Sequence, residues 1–219
     1  MISSISLRGV LPEVFAGERR GSASAGEVWL GDVTFERGGI YLVEATSGAG
    51  KSSLCSFLYG NRRDYVGAIE FDGRDVRRFS IADWCRVRCE EIALLPQEMR
   101  LFPELTAMEN ILVKNRLTRF KTDTGIREML DRLGILHKAD TPAGRLSIGQ
   151  QQRVALVRTL CQPCSFILLD EPVSHLDADN NVIAAALVAE EAARQGAAII
   201  ATSVGNRISL PFTGTLRMT

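Results

Sequence analysis

Long apolar runs are missing from this 219-residue sequence. No stretch approaches the roughly 18 uninterrupted apolar residues that a membrane-spanning helix needs. Met1-Ile2-Ser3-Ser4-Ile5 also lacks the basic-then-apolar order of a signal peptide. Any part in membrane transport therefore requires another polypeptide. Net charge is missing too. Lys plus Arg and Asp plus Glu both number 26, so no long-range field draws the chain onto nucleic acid or an anionic surface, and no nucleic-acid partner is expected. Histidine is scarce, with two residues, and cysteine is present in an odd number, five. That count is not the dense, even pattern of a disulfide scaffold and suits a reducing compartment. Cys161-x-x-Cys164 has the spacing of half a metal knuckle or of a redox pair. There is no second C-x-x-C, and Cys85 and Cys89 are spaced as one helix face, so buried thiols are the expectation.

What is present is a chain 46% hydrophobic, long enough to bury a full core as one compact unit. Short runs rich in β-branched residues occur at Tyr41-Leu42-Val43, Ile92-Ala93-Leu94-Leu95, Phe166-Ile167-Leu168-Leu169 and Ala198-Ile199-Ile200-Ala201. They read as buried parallel strands. Helical patterns lie between them: Ile126, Met129, Leu130 and Leu133 share a face, and Val182 to Ala193 is closed by Gly196. The alternation predicts an α/β fold. Glu27 to Phe35, and Gly67 to Phe71 before the turn Asp72-Gly73, alternate like antiparallel strands, and Gly21 to Gly26 reads as a flexible turn or loop. A small antiparallel sheet is thus expected near the N-terminus. From Met99 to about Cys161 the chain reads as helical, an inserted subdomain between two strands.

Ala45-Thr46-Ser47-Gly48-Ala49-Gly50-Lys51-Ser52 follows a predicted strand and opens a helical run at Ser53. That is the setting of a phosphate-binding loop. Glycines at 48 and 50 let backbone N–H groups curl around phosphate oxygens, and the helix start adds unpaired donors and positive dipole character. Lys51 supplies a point charge for the β and γ phosphates and Ser52 a hydroxyl for magnesium, so Ser47, Gly48, Ala49, Gly50, Lys51, Ser52 and Ser53 form the candidate ATP-binding set. The full pattern begins with Gly, where this chain has Ala45. Alanine is tolerable there if the backbone keeps negative φ. Phe166 to Leu169 then runs into Asp170-Glu171-Pro172, which puts two carboxylates at the carboxyl end of a buried strand. Asp170 suits a magnesium ligand and Glu171 a base that polarises water, a constellation for phosphoryl transfer.

Leu146-Ser147-Ile148-Gly149-Gln150 narrows the class, because it resembles the signature motif of ATP-binding cassette (ABC) proteins. The resemblance implies a P-loop NTPase core with a mixed or parallel sheet, an N-terminal antiparallel β subdomain and an inserted α-helical subdomain. It divides the single ATP-binding domain, 1–219, into a core at about 1–97 and 162–219 and a helical part at about 98–161. It also implies two chains sandwiching two nucleotides, with Ser147, Gly149 and Gln150 contacting ATP held by the opposite subunit. Ser174-His175-Leu176-Asp177 resembles the loop that crosses the dimer interface. Gln97 resembles the glutamine that touches magnesium or the attacking water, and Phe102 to Asn110 the segment that leads to a transmembrane partner. ATP and Mg2+ are the implied cofactors. A homodimer or pseudo-dimer is the implied assembly, cytoplasmic and held on the inner face of the membrane through a transmembrane transporter subunit.

Three positions depart from the pattern: Ala45, Ile148 in place of a glycine, and Ser203 where the family carries a histidine that reaches the γ phosphate. Serine is shorter and cannot be cationic, so slow or partner-dependent hydrolysis is expected. The aromatic best placed to stack adenine is Phe15, with Trp29 and Phe35 in the core. The leading reading is the ATPase subunit of a transporter, of the compact kind serving lipoprotein export, macrolide efflux or cell division. The alternatives are a soluble ABC ATPase and an ATP-binding module with vestigial hydrolysis.

Overall fold

In the computed structural model, residues 1–16 and 27–218 are described. In chain order they form Ser4–Pro12 (β1), Glu13–Ala16 (α1), Asp32–Glu36 (β2), Ile40–Ala45 (β3), Lys51–Leu58 (α2), Tyr65–Phe71 (β4), Arg74–Asp75 (β5), Ile81–Arg86 (α3), Ile92–Leu95 (β6), Ala107–Asn115 (α4), Asp123–Arg132 (α5), Ile148–Thr159 (α6), Phe166–Asp170 (β7), Ala178–Gln195 (α7), Ala198–Ser203 (β8) and Gly214–Met218 (β9). No helix among these residues is long and apolar enough to cross a membrane.

The five-stranded sheet has the order β6-β7-β8-β3-β9, and every neighbouring pair is parallel. Its central strands β7 and β8 are buried along their whole length, which is why they are unbroken apolar runs rather than alternating ones. Alternate residues still serve different faces. Ile167 and Leu169 join a core with α4 to α7, while Phe166 and Leu168 join a second core under the antiparallel sheet β2-β1-β4-β5 and α2. The helices α4 to α6 share the first core with Ala93 and Leu95 of β6. The β4–β5 hairpin turns through Asp72 and Gly73, both at positive φ (50° and 76°), the backbone a tight primed turn demands.

Three strands add to those read from the sequence: β1, an inner strand of the antiparallel sheet, β5 at that sheet's edge, and β9, an edge strand beside β3. The predicted strand at Glu27 to Phe35 is shortened to β2. Val28 and Trp29 are both fully buried and Leu30 takes φ 62°, so two successive side chains point inward and a left-handed residue breaks the extended path. The Gly21 to Gly26 segment lies outside the described residues. Gly196 ends α7 as expected, in the left-handed conformation (φ 60°).

Candidate functional site

β3 delivers the chain to the carboxyl edge of the parallel sheet. Ala45, its last residue, is in register with Met218 and is extended, so the position where the motif would begin with Gly asks for no left-handed backbone. The left-handed turns fall at Gly48 and Gly50 (φ 83° and 99°). No atom lies within 4 Å of where a methyl would stand at Gly48, whereas one at Gly50 would come within 3.1 Å of the rings of Phe15 and Trp29. Trp29 also donates from Nε1 to the Ala49 carbonyl at 2.8 Å. A core aromatic thus braces the loop from below, and half-buried Phe15 lies beside it. α2 starts at Lys51, whose Nζ donates to the Thr46 carbonyl at 3.1 Å and stands 3.6 Å from Glu171 Oε1. Ser47 is exposed, while the Ser53 hydroxyl accepts from Arg62 Nη1 at 2.8 Å.

β7 ends at Asp170, and β8, lying between β7 and β3, brings Thr202 into register with it. Thr202 Oγ1 donates to Asp170 Oδ1 at 2.9 Å and accepts from the Glu171 amide at 3.2 Å. The next residue, Glu171, turns left-handed (φ 50°), which swings its side chain back towards the phosphate loop. Gln97, just beyond β6, closes the arrangement. Its Oε1 accepts from Ser52 Oγ and its Nε2 donates to Glu171 Oε2, both at 3.3 Å. Ser52, Gln97 and Asp170 line one cleft of about 140 Å3. A hydroxyl, an amide oxygen and a carboxylate are all hard oxygen donors, the set that suits Mg2+.

The signature segment behaves as a helix start. Ser147 caps α6, accepting from the Gln150 amide at 3.3 Å, while Gln150 Oε1 accepts from the Ser147 amide at 3.0 Å. Ile148 stands 49% exposed at the first helical position. Gly149 is needed within the chain itself, because a methyl there would meet the His175 carbonyl oxygen at 2.8 Å. Asp177 caps α7 by accepting from the Asn180 amide, and that bond holds its carboxyl below the usual range. Ser203 is 2% exposed. Its hydroxyl donates to the Asn206 carbonyl at 2.9 Å and accepts from the Gly205 amide at 3.1 Å, so a water-bridged reach to a phosphate would require that turn to open.

The structure therefore brings Lys51, Ser52, Gln97, Asp170 and Glu171 together, and sets the start of α6, with Ser147, Gly149 and Gln150, against the loop that leads to Asp177 and α7. Two residues escape sequence reasoning. Thr202 orients both carboxylate positions; the signal for it was a polar residue at the end of a buried strand. Gln152, buried in α6, donates to the Glu171 carbonyl and to Ser174 Oγ and accepts from the His175 amide at 3.0 Å; it was concealed in the run Gln150-Gln151-Gln152. Cys161 and Cys164 are buried thiols, pushed up by burial to about 12.

Comparison with known proteins agrees with this geometry. Residues 31–174 match the family model described as "ABC transporter". Two uncharacterized ABC transporter ATP-binding proteins of Mycobacterium tuberculosis strains are 36% identical over 64% of this chain; the match spans only 43% of their length. The lipoprotein-releasing system ATP-binding protein LolD of Myxococcus xanthus is 32% identical over 79% of this chain and 77% of its own. A dimeric structure of a bacterial ABC transporter cassette, MJ0796, superimposes with a TM-score of 0.74 at 22% identity, covering 90% of this chain and 87% of that one. With the phosphate loop, the acidic strand end and the capped signature helix in their family order, this chain belongs to the ABC transporter family.

Proposed function

We propose that this chain is the ATP-hydrolysing, nucleotide-binding subunit of an ABC transporter, closing as a dimer around ATP to drive a transmembrane partner. The observation that carries this reading is the convergence of Lys51, Ser52, Gln97, Asp170 and Glu171 on one sheet edge. Lys51 exchanges the Thr46 carbonyl and the Glu171 carboxylate for the β and γ phosphates, with the turns at Gly48 and Gly50 presenting backbone donors. Ser52, Asp170 and Gln97 would hold Mg2+, which supplies charge neutralisation at the phosphates. Glu171, freed from Lys51, accepts a proton from the attacking water at its carboxylate, while Gln97 keeps that carboxylate and the Ser52 hydroxyl in one geometry. Phe15 offers the adenine a ring.

Ser147, Gly149, Gln150 and Asp177 meet the nucleotide of the opposite subunit, the start of α6 acting as an anion site. In this reading the Phe102 to Asn110 segment of the helical part, about 98–161, leads to the transmembrane partner, with the subunit cytoplasmic on the inner face of the membrane. The likeness to lipoprotein-releasing ATP-binding proteins supports a compact export-type assembly. With Ser203 committed to its own turn, hydrolysis by the isolated subunit is slow. ATP binding and phosphate release by the purified protein test the reading. Lys51→Ala should abolish binding, and Glu171→Gln should retain binding while stopping release. Absence of ATP binding by the unsubstituted protein with magnesium would overturn it.

A further inference from the structure

Ser203 leaves this site without an imidazole on its own sheet, yet an imidazole stands on the neighbouring surface. The chain has two histidines. His137 lies in the short helical turn Leu136–Lys138, whereas His175 is exposed in the loop between β7 and α7. That loop is held rigidly. Gln152 accepts from the His175 amide at 3.0 Å and donates to the Glu171 carbonyl at 3.3 Å, so the histidine is tied through one side chain to the backbone of the candidate base. The close approach of Gly149 to the His175 carbonyl fixes it against the first turn of α6.

The ring is oriented too. His175 Nδ1 is 2.9 Å from Ser174 Oγ, and Gln152 Nε2 donates into that oxygen at 3.4 Å. In the tautomer in which Ser174 donates to Nδ1, the ring's proton sits on Nε2. An open cleft of about 340 Å3 lies where Thr46 meets Ser203, Val204 and Gly205, with Glu44 and Arg217 also on its walls.

We propose that, in the ATP-closed dimer, His175 of one copy donates its Nε2–H to the γ-phosphate region of the other copy, beside Ser203, and so supplies in trans the hydrogen bond that Ser203 cannot. This rests on the dimeric reading above. The geometric support is that His175 is exposed and its backbone carbonyl abuts Gly149 at the start of α6, so a nucleotide of the opposite copy that meets that helix start lies next to the His175 loop. No bond is made or broken by the ring; it donates one hydrogen bond that strengthens as charge develops on the transferred phosphoryl group.

The experiment is a double-mutant cycle in phosphate release, using the full chain as wild type, His175→Ala, Ser203→His and the double variant. His175→Ala should lower kcat by about tenfold to a hundredfold with KM for ATP little changed. The double variant should turn over as fast as Ser203→His alone, because an imidazole on the home strand makes the opposite one redundant. A His175→Ala variant as fast as wild type, or a double variant as slow as His175→Ala, would overturn the proposal; the second result would mark a local structural role. ATP-dependent dimerisation of Glu171→Gln and of Glu171→Gln/His175→Ala, read by size-exclusion chromatography, separates the two levels. If neither dimerises, the dimeric reading fails; if only the His175-containing protein does, His175 acts in assembly and the catalytic proposal fails.

Discussion

At the scale of single residues, buried side chains organise the candidate site. Asp170 is 4% exposed, and a carboxylate that far from water needs donors. Thr202 provides one and, with the same oxygen, satisfies the Glu171 amide. Thr202→Val keeps the shape and removes both bonds. It should cost about 1–3 kcal/mol of stability, the range for leaving buried polar groups unsatisfied, and should slow phosphate release more than it weakens ATP binding. Thermal unfolding and steady-state kinetics on one preparation check both halves; unchanged turnover would mean that Asp170 needs no such support. The glycines divide in the same way. Gly48→Ala meets open space and is opposed only by its positive φ, whereas Gly149→Ala drives a methyl into the His175 carbonyl oxygen at 2.8 Å. Backbone there cannot yield without moving α6 away from the loop before α7. Gly149→Ala should therefore reduce ATP-dependent dimerisation while leaving nucleotide binding by the monomer intact, and equal dimerisation by the two proteins would count against that account.

At the scale of elements, α6 joins stability to function. Its capping box satisfies two backbone donors through Ser147 and Gln150, so Ser147→Ala should lower stability by about 1 kcal/mol, seen as a fall in Tm, while Ser147→Asp should hold Tm and place a negative charge where the proposed assembly presents a phosphate. Loss of ATP-dependent dimerisation in Ser147→Asp at unchanged Tm is the expected signature. The start of this helix was legible through the resemblance of Leu146 to Gln150 to the signature motif, and its capping box is the local cause. So were β3, β6, β7 and β8, as short apolar runs, and α7, closed by Gly196. β9 was not legible. Among the described residues it pairs with β3 alone, and Gly214, Thr215 and Arg217 are at least partly exposed, so an edge strand carries little apolar pattern. The Glu27 to Phe35 segment misled for the opposite reason. Its apolar residues are buried, but consecutively, because Trp29 is recruited to the phosphate loop by the Ala49 carbonyl rather than to a pleated sheet. Local pattern records what a segment does for itself; β9 and Trp29 are placed by partners far away in the chain.

At the scale of the whole molecule, one parallel sheet separates two apolar cores, and the buried ionisable groups include thiols as well as partnered charges such as Lys51, Asp170 and Glu191. This fixes how stability must depend on pH. The lowered carboxyls include Asp83 at about 2 and Glu190 beside Arg132 at the surface, and buried Glu91, where burial is outweighed by Ser165 and the Ile2 amide; their contribution is present above the unfolded carboxyl range near pH 4 and fades as pH falls through their folded values, and at the surface sites solvent screens it. The thiols act with the other sign. Cys161 and Cys164 stay neutral in the folded protein up to about 12 because burial disfavours the thiolate, and fully buried Cys55 is raised as well. In the unfolded chain they ionise near pH 8.5. Between these limits the unfolded state binds fewer protons than the folded one, so stability must fall as pH rises. Half-buried Tyr59 and buried Tyr65, also raised by burial, add to the slope only above about pH 10. Denaturation midpoints measured from pH 7 to 11 should thus decline from about pH 8.5. A Cys161→Ala/Cys164→Ala protein should be less stable at pH 7, through lost packing in the core shared by α4 to α7, yet flatter in its decline. A decline as steep in that variant as in wild type would assign the alkaline limb to other groups.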